Sequence, residues 1–81
     1  MMSLVELTEF IIKSLVVNSE NVSVKEFESD EENTVLIQVL VDSEDMGRII
    51  GKDGRIVKAL REIIRAYSGR EGKKVVLQIV E

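Results

Sequence analysis

Two glycines three residues apart, in the stretch Ile49-Ile50-Gly51-Lys52-Asp53-Gly54-Arg55, constrain the fold more than any other part of this 81-residue chain. Gly51 follows two apolar residues, and a glycine at such a position is typical of the left-handed residue that stops a helix. The segment after Gly54 repeats apolar residues at a spacing of three and four, which is the pattern of an amphipathic helix. The stretch therefore predicts a helix, a tight turn and a second helix.

The chemistry of this turn suits a phosphate group. Glycines let a ligand approach the backbone closely, because they carry no Cβ atom. A helix that begins there offers unpaired N–H groups and the positive end of its dipole. Lys52 and Arg55 add full positive charges, and Arg48 and Lys58 extend the cationic track. Asp53 places a negative charge at the turn and is expected to weaken the local field.

The two isoleucines before the turn carry no side-chain hydrogen-bonding groups, so Ile49 and Ile50 are expected to pack either against a base in a groove or against the core. A single-stranded backbone over the turn, with its bases along an apolar groove, suits these residues. Arg61 and Arg65 lie farther along the second helix and are interpreted as a solubilising face. The candidate contact residues are therefore Gly51, Lys52, Asp53, Gly54, Arg55, Arg48, Ile49, Ile50 and Lys58.

The net charge of −4 conceals an asymmetry along the chain. Residues 1–43 carry two basic and nine acidic residues, a balance of −7, whereas residues 44–74 carry nine basic and five acidic residues, a balance of +4. Glu81 supplies the remaining −1. The positive charge is therefore concentrated around the glycine turn, and the chain as a whole is not a general binder of polyanions.

Composition removes several classes of function. The chain has no Cys and no His, so it lacks disulfides, thiolate metal sites and the commonest catalytic acid–base group. With no acid–base pair visible, an enzyme is the least favoured reading, and no cofactor is expected. An acidic connection lacks the spacing of a calcium loop and is interpreted as a solvated turn; it contains Glu28, Asp30, Glu31 and Glu32.

Neither a signal peptide nor a membrane span is predicted. The first apolar stretch has no basic region before it. No apolar run approaches the roughly 20 residues that cross a bilayer. The sequence therefore favours a cytoplasmic protein.

The order of elements is predicted to be α-β-β-α-α-β. Ser3 and Glu6 form a capping-box pattern that begins the first helix. The predicted helices are about Ser3–Val17, a short helix that is capped by Asp42 or Ser43 and runs to Ile50, and about Gly54–Tyr67. The predicted strands are Asn21–Glu28, Thr34–Val41 and Lys73–Val80. We expect an α+β two-layer sandwich, in which the helices cover one face of a three-stranded sheet.

Two features of the strands stay open. The alternation of the first strand slips at Phe27, which fits either a bulge or the end of the strand. On the uncovered face of the sheet, Leu36, Leu40, Val76 and Val80 are expected to form an apolar patch. The wide apolar spread of the first helix and this patch motivate a second hypothesis, in which the chain is a protein-interaction module that works mainly through dimerisation.

The combination of I-I-G-x-x-G-R with its flanking elements resembles the KH domain, whose GXXG loop clamps four nucleotides. Two glycines alone also mark ordinary helical hairpins; the two strands before the motif, and the basic helix and strand after it, carry the resemblance. The minimal β-α-α-β unit corresponds to about 34–80. The αβ extension at about 3–28 precedes it, as in the type II, prokaryotic arrangement. One KH domain is thus expected over residues 1–81.

The segment from Asp45 to Arg55, followed by Lys58-Ala59-Leu60-Arg61, is similar to the KhpA family of free-standing bacterial KH proteins. The resemblance implies binding of single-stranded RNA in the cytoplasm, as an RNA chaperone or post-transcriptional regulator. It also implies a homodimer or a pairing with a larger KH-containing, KhpB-like protein, and a link to cell shape and cell-wall organisation. A ribosome-assembly factor that binds structured RNA remains an alternative.

Overall fold

Six helices and strands form in the predicted order in the computed structural model, which describes residues 2–51 and 54–81. The elements are α1 Leu4–Leu15, β1 Ser23–Glu28, β2 Thr34–Leu40, α2 Ser43–Ile50, α3 Arg55–Gly69 and β3 Lys74–Val80. A single 3-10 turn, Ser19–Asn21, connects α1 to β1. None of the helices in the described ranges is long and apolar enough to cross a membrane.

The three strands form one mixed sheet in the order β1-β2-β3. β1 and β2 are antiparallel neighbours, joined by the short acidic connection, whereas β3 lies parallel to β2 because α2 and α3 carry the chain back across the sheet. The helices contact one another and the sheet. The predicted α+β fold, with helices on one face of a three-stranded sheet, is therefore confirmed.

The core lies between the sheet and the helices. The covered face of β2 alternates as predicted, with Val35, Ile37 and Val39 buried. The residues that meet them are Ile12 of α1, Ile49 of α2, Leu60 and Ile64 of α3, and Val24, Val41 and Val75 at the strands. Full burial of a Val, Leu or Ile side chain stabilises a fold by about 1.5–3 kcal/mol, and these residues supply much of the driving force.

α1 begins as predicted and ends two residues early. Ser3 Oγ accepts a 3.1 Å hydrogen bond from the Glu6 backbone N–H, and Glu6 Oε1 accepts a 3.0 Å bond from the Ser3 N–H. The helix stops at Leu15 because the N–H groups of Val17 and Asn18 donate to a carboxylate on α2 and not to helical carbonyls.

The uncovered face of the sheet carries the expected apolar patch, with one addition. The β1–β2 register is unbroken through Phe27, so neither a bulge nor the end of the strand explains the slip in alternation. Phe27 pairs with Leu36, which pairs with Val76, and this row crosses the face of the sheet. A parallel row contains Leu40 and Val80. We call this surface the open face: Phe27, Leu36, Leu40, Val76 and Val80.

Candidate nucleic-acid interface

α2 is fixed at its start by carboxylates. Asp42 is the N-cap, and its Oδ1 accepts a 2.9 Å bond from the Glu44 N–H. Asp45, in the first turn of the helix, is completely buried. Acids at the start of a helix complement its dipole, so both the caps and the charges hold this end of α2 in place.

Asp45 joins α2 to the chain that leaves α1. Its two carboxylate oxygens accept bonds of 3.0 Å from the N–H groups of Val17 and Asn18 and of 3.1 Å from Asn18 Nδ2. The Val17 N–H is the largest cause that lowers the pKa of Asp45, and both Asn18 donors add to it. Burial acts in the opposite direction, and the Arg48 charge lowers the pKa further. The sequence indicated only that an acid suits this helix start; its partners lie 27 and 28 residues away.

The two glycines of the turn adopt different conformations. Gly51 ends α2 with φ 62° and ψ −167°, and its N–H donates a 2.9 Å bond to the Gly47 carbonyl. Backbone in that region is adopted by almost no residue except glycine. Gly54 precedes α3 with φ 67° and ψ 23°, which is left-handed helical backbone. A Cβ at Gly54 would meet no atom of the described residues within 4 Å, so this side of the turn is open.

α3 begins differently from α1 and α2. Within residues 2–51 and 54–81, no side chain caps its first turn, and that turn contains no acid. Its first residue, Arg55, and Lys58 one turn later are both exposed. An uncapped helix start beside exposed cations is a favourable environment for an anion, since the N–H groups and the charges act in the same direction.

The structure separates the two isoleucines before the turn. Ile49 is 0% exposed and packs in the core. Of the two expected partners, a base in a groove or the core, the core therefore applies to this residue. Ile50 is 44% exposed and remains available for contact with a base. Arg48 is exposed on α2, with Nε 4.0 Å from Asp45 Oδ1. Lys52 and Asp53 lie outside the described residues.

A cleft of about 180 Å³ lies between α3 and β3. Its lining includes Arg61 and Arg65, which the sequence pattern predicts to be a solubilising face, together with Ile64 and the β3 residues 74–77. The sequence shows the helical spacing of the two arginines. It does not show that β3 begins beside them, which the structure reveals. Ser68 follows the predicted end of the helix at Tyr67, but it is buried in the last turn of α3, and its Oγ donates to the Arg65 carbonyl.

The described residues contain no group of three or more His, Cys, Asp or Glu side chains placed to hold a metal ion. The acidic connection between β1 and β2 is exposed throughout. Its Ser29 Oγ accepts a 3.2 Å bond from the Glu31 N–H, a contact that orders a turn.

Comparison with known proteins places this geometry in a family. A family model described as "KhpA/KhpB, KH domain" matches residues 5–79. The RNA-binding protein KhpA of Clostridium perfringens is 45% identical over 75 residues, which cover 93% of this chain and 97% of that protein. The RNA-binding protein KhpA of Aquifex aeolicus is 44% identical over 81 residues, which cover both chains completely.

Solved structures of Era share the fold. Aquifex aeolicus Era bound to GDP and AlF4⁻ superposes with a TM-score of 0.62 at 22% identity, covering 94% of this chain and 29% of Era. Era in complex with MgGDPNP and nucleotides 1506–1542 of 16S ribosomal RNA gives a TM-score of 0.57 at 22% identity. With the fold, the glycine turn and the full-length relatives in agreement, the chain belongs to the KhpA/KhpB family of KH domains.

Proposed function

We propose that this chain binds single-stranded RNA through the glycine turn and the start of α3. The observation that carries the proposal is the combination at Gly54 and Arg55: an open, left-handed glycine, a helix start without a side-chain cap in the described ranges, and an exposed cation. The relatives named RNA-binding proteins support the same ligand.

The binding mode follows from these groups. A phosphate lies against the backbone of the turn, where the N–H groups of α3 and the charges of Lys52, Arg55 and Lys58 attract it. The bases lie toward Ile50. Backbone and phosphate contacts carry no sequence information, so recognition is tolerant of sequence. The aromatic side chains Phe10, Phe27 and Tyr67 lie outside the turn, which leaves little base stacking to add affinity.

The proposed role is that of a cytoplasmic RNA chaperone or post-transcriptional regulator, with the connection to cell shape and cell-wall organisation that the family resemblance implies. Binding of structured ribosomal RNA is the rival role. Crosslinking of RNA to the protein in cells, followed by sequencing, separates them: many unstructured transcripts support the chaperone or regulator, and a single ribosomal site supports assembly.

Lys52→Asp tests the turn directly. Because it reverses a charge at the phosphate, it is expected to weaken binding of a fluorescent eight-nucleotide oligouridylate sharply. The slope of the logarithm of the binding constant against the logarithm of the salt concentration should also become shallower by roughly 1, as expected when one phosphate contact is lost. Lys13→Asp on α1 is the matched control, since this exposed side chain lies away from the turn and from the open face and the substitution makes the same change in net charge. Equal RNA affinity in the two variants would contradict the proposal, provided that circular dichroism shows both to be folded.

A second proposed function is pairing with another KH domain through the open face, either in a homodimer or with a larger KhpB-like protein. Val76, at 48% exposure, lies in one apolar row with Phe27 and Leu36. An apolar surface of this kind marks a site of contact with another protein. Pairing also raises the affinity for a long RNA, because the second turn then binds a separate segment of the same molecule at high effective concentration.

Sedimentation velocity tests this interface. Val76→Lys places a charge in the apolar row and is expected to shift a dimer to the monomer. Ala66→Lys adds the same charge on an exposed part of α3 and is expected to leave the dimer intact. A parent protein that stays monomeric at high concentration, or a dimer lost only in Ala66→Lys, would rule out the open face as the homodimer interface.

A further inference from the structure

Hydrogen bonds tie the start of α2 to the connection between α1 and β1. Asn18 Nδ2 lies 3.1 Å from Asp45 Oδ2 and 3.3 Å from Glu44 Oε2. Asn21 Nδ2 lies 3.1 Å from Asp42 Oδ2. Asp45 also accepts 3.0 Å bonds from two backbone N–H groups of the same connection. We call this group the polar junction: Val17, Asn18, Asn21, Asp42, Glu44 and Asp45.

The polar junction and the glycine turn lie at opposite ends of the same short helix. The eight residues of α2 span about 12 Å at the usual rise per residue. The junction holds the start of the helix, and Gly51 follows its last residue. Because so short a helix moves as one body, a shift or rotation at its start also moves Ile50 and Gly51.

Apolar packing gives α2 few points of attachment. Among its described residues, Ile49 is the only buried apolar side chain, and Met46 packs against the core with part of its surface exposed. One buried side chain does not fix both the rotation of a helix and its position along its axis. Asp45 lies four residues before Ile49, on the same face of α2, and supplies a second fixed point there.

Asp45 is an unusual residue for a buried position. Its side chain is enclosed, and burying a carboxylate costs free energy unless hydrogen bonds satisfy it. Three donors do so, and each restricts direction, because a hydrogen bond weakens steeply as its angle departs from linear. Apolar contact is non-directional. The carboxylate therefore fixes the orientation of α2 more narrowly than an apolar side chain at this position would.

We propose that Asp45 is a positioning residue for the glycine turn: its bonds to Val17 and Asn18 fix α2, and α2 in turn places Gly51 at the RNA interface. The inference rests on the proposed RNA-binding function. It gives the end of α1, which lies outside the proposed interface, an effect on affinity. Arg48 is drawn to the same carboxylate, with Nε 4.0 Å from Asp45 Oδ1, so its position depends on the same anchor.

Asp45→Asn tests the positioning role, since it keeps the size of the side chain and replaces one acceptor oxygen with an amide. At a temperature where urea titration shows the variant to be fully folded, the amide NMR signals of Gly51 and Gly54 are expected to move. Affinity for the eight-nucleotide oligouridylate should fall by about fivefold or more, the usual scale of coupling between separate sites. The substitution removes a negative charge, so electrostatics alone would tighten binding, and a loss must come from geometry.

Two further variants complete the test. Val24→Ala removes volume from the core at β1, far from α2 in the chain, and is expected to lower stability while it leaves both glycine signals and the affinity of the folded protein unchanged. Asn18→Ala removes only the side-chain bonds of the polar junction. It is expected to cause smaller changes in the same direction as Asp45→Asn, and it decides the question if Asp45→Asn does not fold.

The positioning role requires that the glycine signals and the affinity change together. A folded junction variant that changes only one of them, or neither, shows that Asp45 stabilises the fold and does no more. An equal loss of affinity in Val24→Ala assigns the effect to reduced stability and also overturns the inference. Weak binding by Lys52→Asp beside normal binding by Asp45→Asn removes the positioning role and leaves the RNA-binding proposal standing. A parent protein that does not bind the oligonucleotide removes both.

Discussion

The start of α3 differs from the starts of the other two helices. α1 begins with the reciprocal bonds of Ser3 and Glu6, and α2 begins with the bond from the Glu44 N–H to Asp42. α3 follows left-handed Gly54, has no side-chain cap within the described ranges, and carries Arg55 where the others carry acids. Two helix starts thus satisfy their own N–H groups and match their own dipoles.

This difference separates stability from binding. A capped start contributes about 0.5–2 kcal/mol to a fold, since it satisfies donors that have no partner in the helix. At α3, Gly54 takes the cap position and no side chain among the described residues caps the first turn, so this start favours an external anion. The same physical groups therefore hold the fold together at α1 and α2 and serve the proposed ligand at α3.

The largest expected effect on stability comes from the start of α2, one of the two capped helix starts. Asp45→Ala removes a buried carboxylate that accepts part-buried bonds from Val17 and Asn18, so it is expected to lower the melting temperature more than any other change described here. Thermal circular dichroism measures it, with Asp30→Ala in the exposed connection as control. Identical melting of the two variants would show that Asp45 does not secure this end of α2.

The next largest effect is the difference in stability between alanine variants of the two glycines in the turn. Gly51→Ala forces alanine into backbone that is almost exclusive to glycine and should cost about 1–3 kcal/mol of unfolding free energy. Gly54→Ala meets only the left-handed penalty, roughly 1 kcal/mol. Urea denaturation compares them. The reverse order of stability would contradict the distinction between the two positions.

A charge placed at the open helix start should separate binding from stability. Asn and Asp both tolerate left-handed backbone and are of similar size, so Gly54→Asn and Gly54→Asp differ mainly in charge. RNA affinity is expected to fall further in the Asp variant, and the gap should narrow as salt rises. Fluorescence anisotropy at two salt concentrations measures this gap. Equal affinities at low salt would show that no phosphate approaches Gly54.

The smallest expected effect is the loss of folding stability at low pH. The pKa of Asp45 lies below its usual value of 3.8, and the bonds from Ser3 lower the pKa of Glu6 below 4.5. Because both folded pKa values are depressed, these carboxylates stabilise the fold above the unfolded values and lose that contribution as the pH falls through the folded ones. Unfolding free energies measured from pH 6 to pH 3 should therefore fall, and Asp45→Asn should flatten the fall. An unchanged slope in that variant would exclude Asp45 as a source of acid sensitivity.

Local patterns predicted the parts of the fold that local physics determines. The capping residues Ser3 and Glu6 begin α1 as expected, and the alternation along β2 identified its buried face. The glycine at position 51 ends α2 as expected. In each case the deciding interaction spans four residues or fewer, or follows directly from the period of a strand.

The parts that sequence did not reveal depend on distant contacts. The early end of α1 is caused by Asp45, and Tyr67 of α3 donates a hydrogen bond to the Met2 carbonyl at the other end of the chain. Ile49 and Ile50 are neighbours of the same type, and only the packing of α2 determines which one is buried. Which cations lie along a cleft likewise required the position of β3 beside α3.

The two-layer arrangement has a consequence for simultaneous occupancy. The glycine turn joins two helices of one layer, whereas the open face is the outer surface of the sheet, which forms the other layer. A protein that covers Phe27, Leu36 and Val76 therefore does not compete for space with a strand at Gly54. Two copies packed sheet against sheet would direct their turns away from each other, and such a pair would bridge two separate RNA segments.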